Sequence, residues 1–217
     1  MIKVHNLSKQ FDGEPVLDHL NATFEAGRTN LIVGRSGSGK TVLMKCLIGL
    51  LTPDSGQVLY DGRDFHALPP RQLALLRQEM GVLFQGAALF DAMSVIDNVF
   101  FPLRMFSADS EAAQQARAEE CLARVDMSDA LHKMPGELSG GMQKRVGIAR
   151  AIALRPRYLF CDDPTSGLDP VTARRIDELI HSITHEDGIT TVINTHDMES
   201  VRTIGETLLS LDEQPFS

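Results

Sequence analysis

The sequence lacks any disulfide or metal-finger pattern. Its three cysteines, Cys46, Cys121 and Cys161, stand far apart, with no CxxC pair and no metal-ligand spacing. They read as buried or half-buried thiols in a reducing compartment. The N-terminal stretch MIKVHNLSKQF has no apolar core of the kind a secretory signal needs. The greasiest run, VLMKCLIGLL (Val42 to Leu51), carries Lys45 and falls well short of the ~20 residues that span a bilayer. Any membrane role must therefore come through a partner. A basic excess is also missing: the formal net charge is -8, which argues against a general nucleic-acid binder. No internal repeat, low-complexity linker or long coiled coil is visible.

What remains is an ordinary globular composition, 43% hydrophobic and 23% charged over 217 residues, enough for one substantial core. IKVHNL and the alternating VLDHLNATFEAG read as antiparallel strands. RTNLIVG is a short buried strand ending at a glycine, and KTVLMKCLIGLL is a helix of about three turns, apolar nearly all round. QVLYDG is a further strand with its turn. From about Ser94 to Leu154 the pattern is helical, with EAAQQARAEE an exposed helix on its composition. The last third alternates again: strand RYLFCD, helix VTARRIDELIHSI, strand GITTVINT, a short helix from Asp197, and strand ETLLSLD. Such alternation predicts an α/β fold, a parallel sheet covered by helices and interrupted by a helical insertion.

GRSGSGKT spans Gly34, Arg35, Ser36, Gly37, Ser38, Gly39, Lys40 and Thr41 and fits G-x-x-x-x-G-K-[ST], with a strand before it and a helix after it. Its glycines let successive backbone N–H groups curl into an anion nest at a helix N-terminus. Lys40 is placed to reach the β- and γ-phosphates of a nucleotide and the Thr41 hydroxyl to ligate Mg²⁺. The alternative, a flexible Gly/Ser loop, does not need that strand and helix.

The stretch YLFCDDPTSGLDP then drives a greasy strand into two carboxylates, Asp162 and Asp163, which is costly unless something positive sits there. Asp162, ending the strand, is the Mg²⁺ candidate. Strand alternation puts Asp163 on the opposite side, where it either polarises an attacking water or caps the following turn.

With LSGGMQ (Leu138 to Gln143) the sequence resembles the ABC transporter ATPases, and the family's other motifs fall in order. Gly34 to Thr41 matches Walker A, Gln85 in GVLFQG the Q-loop glutamine, Asp162 the Walker B aspartate, SGLD (Ser166 to Asp169) the D-loop, and His196 in NTHD the switch histidine. Phe11 resembles the aromatic that stacks on adenine, although it could also pack into the strand pair. The resemblance implies a P-loop NTPase cassette in one nucleotide-binding domain, residues 1–217. Its RecA-like core would be 1–86 and 155–217, with an antiparallel β subdomain and a helical subdomain at about 87–154. ATP and Mg²⁺ are the implied cofactors, with Gln85 also touching the metal and His196 the γ-phosphate or attacking water. Ser139, Gly140 and Gly141 open a helix and make a second anion site. The resemblance implies a head-to-tail dimer in which this site and Asp169 serve the partner's ATP. The other histidines (His5, His19, His66, His132, His181, His185) read as solvated and the methionines as packing.

Two finer readings follow. FQGAALFDAMSVIDNVFFPLR (Phe84 to Arg104) is similar to the Mla/Mce-type ATPases of bacterial phospholipid traffic, through Phe90-Asp91 and Phe101-Pro102-Leu103-Arg104. The alternatives are a lipoprotein-releasing or amino-acid transporter ATPase, or a soluble ABC ATPase without transport. A transporter motor would sit on the cytoplasmic face of the inner membrane and meet an integral permease in the groove beside Gln85, with Leu89, Phe90 and Met93 in contact. The chain departs from the family twice: relatives usually continue past Leu211, so a truncated or naturally short chain is expected. Asp163 also stands where a catalytic glutamate is usual, implying slow turnover.

Overall fold

The structure, a computed structural model, describes residues 1–212. In chain order it contains β1 (Ile2–Phe11), β2 (Glu14–Phe24), β3 (Thr29–Val33), α1 (Lys40–Leu47), β4 (Ser55–Tyr60), β5 (Arg63–Asp64), α2 (Pro70–Gln78) and β6 (Met80–Leu83). There follow α3 (Val95–Phe106), α4 (Glu111–Arg124), α5 (Gly140–Ile152), β7 (Tyr158–Asp162), α6 (Pro170–Glu186), β8 (Thr190–Thr195), α7 (Met198–Ile204) and β9 (Thr207–Ser210). One sheet has the order β2-β1-β4-β5 and the other β6-β7-β8-β3-β9. The first is antiparallel and the second parallel throughout.

The central strands of the parallel sheet are covered on both faces, which is why TNLIV, YLFCD and TTVINT are buried almost end to end and not only at alternate residues. Alternation along each strand then sorts its side chains. Ile32, Tyr158, Phe160 and Val192 join α1 and the antiparallel sheet in one core. Leu31, Leu159, Cys161 and Ile193 join α3 to α6 in the other. The three cysteines are buried and free.

Four elements differ from expectation. Helix α1 ends at Leu47, not Leu51, because Gly49 takes φ 72° and a Cβ there would meet the Phe65 ring at 2.2 Å. Its surface is not buried all round: Lys45 and Thr41 are exposed. Helix α4 is not wholly exposed either, burying Gln114, Arg117, Ala118, Cys121 and Leu122 along one face. The Arg117 guanidinium donates to Ile152 O at 2.9 Å and Ala153 O at 3.2 Å, capping the end of α5 where cationic donors are favoured. Helix α2 and strand β6 had no reading in the sequence.

Helix α3 is entered through Ser94, which accepts the Asp97 N–H. Buried Asn98 holds the preceding loop by accepting from Phe90 N at 2.8 Å and donating to Phe90 O, Met93 O and Ser94 O. The segment between β6 and α3 is thereby fixed. Among the described residues no helix is long and apolar enough to cross a membrane.

Candidate nucleotide site

The carboxyl ends of β3, β7 and β8 open onto a cleft of about 480 Å³. Ser36, Gly37, Gly39, Lys40 and Thr41 line it from the glycine-rich loop, Gln85 from the segment after β6, and Asp162, Asp163, Ser166, Asn194, Thr195 and His196 from the far wall. Ligands of open parallel sheets belong at this edge, where loops diverge and helix N-termini point inward. Gly37 and Gly39 adopt φ 84° and 93°, and Gly39 is the N-cap of α1. A Cβ on Gly39 would lie 3.0 Å from Val16 O and Leu17 Cδ2, so the loop fits only with glycine there. Lys40 Nζ donates to Gly34 O at 2.5 Å and Arg35 O at 2.8 Å across the loop.

Thr41 and Asp162, far apart in sequence, meet here: the Thr41 hydroxyl donates to Asp162 Oδ1 at 3.5 Å, and Asn194 Nδ2 donates to the same oxygen at 3.0 Å. This all-oxygen pair suits a hard divalent cation. Among the described residues, the cleft-lining oxygens Asp163 Oδ1 and Asn194 Oδ1 are buried without hydrogen-bond partners, orphaned acceptors that fit a hydrated magnesium ion beside a phosphate.

Asp163 corrects an expectation. It does not point away from Asp162; both line the cleft. Asp163 has left the strand with φ 51°, a conformation Asp tolerates better than most residues. Its Oδ2 lies 3.1 Å from His196 Nδ1, so its side chain faces the histidine and does not cap the following turn. Gln85 Nε2 donates to Ser166 Oγ at 3.2 Å, tying the segment after β6 to the loop after β7.

The positive group that the paired acids call for is Lys144, on α5, which sequence reasoning missed. Its side chain is only 5% exposed; its Nζ donates to Gln85 O and, at 3.5 Å, to Asp163 O. Burial pushes its pKa below the usual lysine value, while Asp163, Cys161 and Asp162 oppose that shift. A basic residue in an otherwise buried stripe of α5 was the only signal. Asn194 and Val16, which also line the cleft, were missed as well.

Other predicted site residues lie outside this cleft. Phe11 is 42% exposed at the end of β1, with Lys9 Nζ 5.5 Å from its ring centroid. Arg35 and Ser38 sit in the loop behind its lining. Ser139 caps α5 by accepting the Met142 N–H at 3.3 Å, and neither it nor Gly140 nor Gly141 reaches the same chain's cleft. Asp169 caps α6; hydrogen bonds from Thr172 and Val171 lower its carboxyl pKa. Two histidines are not solvated as expected: His66 is half-buried with a ring nitrogen 3.2 Å from Cys46 O, and His181 is half-buried beside His185. Among the methionines, Met44 and Met127 pack in the core, but Met105 and Met198 are exposed.

Beside this cleft lies a larger apolar groove of about 680 Å³, between α2, β6 and α3. Phe84, Phe90, Phe101, Pro102, Phe106 and Arg150 line it. Phe90 packs on Phe101 with ring centroids 4.9 Å apart, and the Arg150 guanidinium lies 5.7 Å from the Phe90 ring centroid. Arg150 donates to Ala87 O and Ala88 O, which fixes the groove's floor.

The ABC transporter family profile matches residues 17–166. The chain is 39% identical over 207 residues to the "probable ribonucleotide transport ATP-binding protein mkl" of Mycobacterium tuberculosis, covering 95% of this chain and 58% of that protein. It is 40% identical over 212 residues to the methionine import ATP-binding protein MetN of Clostridium acetobutylicum, covering 98% and 66%. The chain therefore spans less than two thirds of the length of these relatives. Among solved structures, it is similar to a dimeric ATP-binding cassette in a post-hydrolysis state bound to ADP and Pi. There the TM-score is 0.87 and the identity 33%, with 98% of this chain and 94% of that one covered. It is also similar to cbiO1 of Clostridium perfringens, part of the ABC transporter complex cbiONQ, with TM-score 0.88 and 31% identity over 96% and 83% of the two chains. Fold, cleft and likeness agree: this chain belongs to the ABC transporter family and has its P-loop ATPase cassette fold.

Proposed function

We propose that this chain is the ATP-hydrolysing motor subunit of a membrane transporter of the Mla/Mce lipid-traffic type. The observation that carries the motor reading is the convergence of Lys40, Thr41, Gln85, Asp162, Asp163 and His196 on one cleft. Residues 1–86 and 155–217 act as the nucleotide core, and about 87–154 as the inserted helical part that meets the partner.

In this reading the loop N–H groups from Gly34 to Thr41 and the Lys40 ammonium grip the phosphates. Thr41 and Asp162 hold Mg²⁺ with Gln85 near it; the ion when bound offsets phosphate charge. Asp163 takes up the proton of the attacking water, and His196 orients Asp163 and contacts the γ-phosphate. Phe11 packs against the adenine. Ser139, Gly140, Gly141 and Asp169 contact the ATP of a second copy, so two chains pair head to tail. ATP then holds the pair closed and hydrolysis loosens it. The groove around Phe90 and Phe101 receives a helix of an integral permease, which places the chain on the cytoplasmic face of the membrane with no nucleic-acid partner.

The lipid assignment rests on Phe90-Asp91 and Phe101-Pro102-Leu103-Arg104, which line or flank that groove. A second reading, uptake of a small polar solute, is favoured by the names of the methionine and ribonucleotide relatives. Co-purification from membranes with mass spectrometry of bound proteins and lipids separates them. A permease with a lipid-binding periplasmic partner and bound phospholipid supports lipid traffic. A permease with a solute-binding protein supports uptake, and recovery of ribosomes would sink both.

A further inference from the structure

At the opposite edge of the parallel sheet, away from the nucleotide cleft, three potential metal ligands converge. His181 and His185 stand four residues apart on α6, so they share a face of the helix. Their ring centroids are 4.4 Å apart. Glu206, just before β9, brings its carboxylate to 3.3 Å from His185 Nε2 and accepts the Thr29 N–H at 2.8 Å. The buried Thr29 hydroxyl lies 3.4 Å from His181 Nδ1. One ring nitrogen of each histidine and one carboxylate oxygen all lie within 4.8 Å of one another.

We propose that His181, His185 and Glu206 form a binding site for a divalent first-row transition ion, with Zn²⁺ its best-suited occupant. Two imidazoles and one carboxylate are a ligand set zinc accepts, with water in the fourth position. Tetrahedral ligands about 2.0–2.1 Å from zinc sit roughly 3.4 Å apart, a spacing His185 and Glu206 already have. The remaining closure, at most about 1.4 Å, needs only side-chain rotation of the half-buried and exposed histidines. Glu206 is steadied by the Thr29 N–H and His181 by the Thr29 hydroxyl, the kind of surrounding contact that orients metal ligands. The site also lies in the last turns of α6, where the helix dipole favours positive charge. Magnesium, which prefers an all-oxygen shell, is a poor match for it, so the site is chemically distinct from Thr41 and Asp162. A bound ion ties the end of α6 to the starts of β3 and β9.

The test is a Zn²⁺ titration of the full chain, first stripped with chelator, competed against a chromophoric chelator in millimolar Mg²⁺. A Co²⁺ titration read by visible absorption runs alongside. The expected result is one Zn²⁺ per chain with micromolar or tighter affinity, a four- or five-coordinate Co²⁺ spectrum, and a Tm raised by Zn²⁺. His185→Ala and Glu206→Gln should each weaken binding by about tenfold or more and abolish the Tm rise. The glutamine still offers an oxygen to Thr29 N–H, so loss of fold does not explain that result. His196→Ala should leave Zn²⁺ affinity unchanged. No binding below roughly 100 µM Zn²⁺ overturns the proposal. So does binding that Mg²⁺ displaces, or affinity unaltered in both His181→Ala and His185→Ala, since the three side chains then form only an ion pair and a ring contact.

Discussion

His196 Nδ1 lies 3.1 Å from Asp163 Oδ2, joining the loop after β8 to the loop after β7, while Asp163 Oδ1 is buried without a partner among the described residues. One oxygen is thus committed to the histidine and the other is free to meet a water molecule. The free oxygen belongs to a side chain one methylene shorter than glutamate, roughly 1.5 Å less reach.

The first prediction concerns that reach. A base misplaced by about 1 Å can lose on the order of a hundredfold in rate. Asp163→Glu should therefore raise kcat about ten- to a hundredfold at nearly constant ATP affinity, measured by steady-state hydrolysis. Because position 163 has φ 51°, which aspartate accommodates more readily, a small fall in Tm should accompany the gain. Unchanged kcat would mean that the water is already well placed.

Lys144 is predicted to position both loops around the acids. Lys144→Met removes the donor to Gln85 O and Asp163 O; Asp163 O keeps the Ser166 N–H at 3.2 Å, but Gln85 O is left unpaired, at about 1–3 kcal/mol where it stays dry. Turnover should fall by about tenfold or more while ATP affinity stays close to wild type. Lys144→Gln, which restores a donor without charge, should recover part of the turnover. Equal kcat in the wild type and Lys144→Met contradicts this role.

Asp177, buried on α6, gives the fold a pH dependence. Burial, followed by the nearby charges of Asp197, Glu199 and Glu178, raises its pKa from 3.8 to about 6, against a hydrogen bond from Ser200 at 2.6 Å. A carboxyl with raised pKa binds its proton more tightly in the folded state. Its contribution is therefore complete below about pH 4 and lost as pH rises through about 6. The two-unit difference corresponds to about 3 kcal/mol at most. Asp177→Asn keeps an acceptor for Ser200, so the variant should melt higher than wild type at pH 8 and no higher near pH 4. A Tm difference independent of pH would contradict the assignment.

Phe90 tests the apolar groove. Phe90→Ala removes a ring packed between Phe101 and Arg150 without touching the nucleotide cleft. Transport in membranes should fall sharply, while ATP binding by the isolated chain stays unchanged. Wild-type transport would remove Phe90 from the docking surface.

The nucleotide loop, the buried strands and the helix opened by LSGG were legible because each is a local pattern: glycine spacing, apolar runs, a capping serine. What was not legible depends on the fold. The sign of φ at Asp163 is not written in alternation, so the predicted opposite orientation failed. Lys144 carries no motif; only the crossing of α5 beneath both loops makes it the counter-charge of the acids. Helix α1 stops early because Phe65, sixteen residues after Gly49, needs the space. Likewise His185 and Glu206 look like solvent-facing charges until β9 brings them together.

The absence of Ser139, Gly140 and Gly141 from the same chain's cleft has a genetic reading. If each cleft is completed by a neighbour, lesions in the phosphate loop and in the serine cap mark different halves of one composite unit. Copies carrying Lys40→Ala and copies carrying Ser139→Ala should then rescue each other when expressed together, because each mixed pair retains one unit with neither defect. Either allele alone should stay silent, so complementation within a single gene would report on the geometry of a pair without any need to purify it.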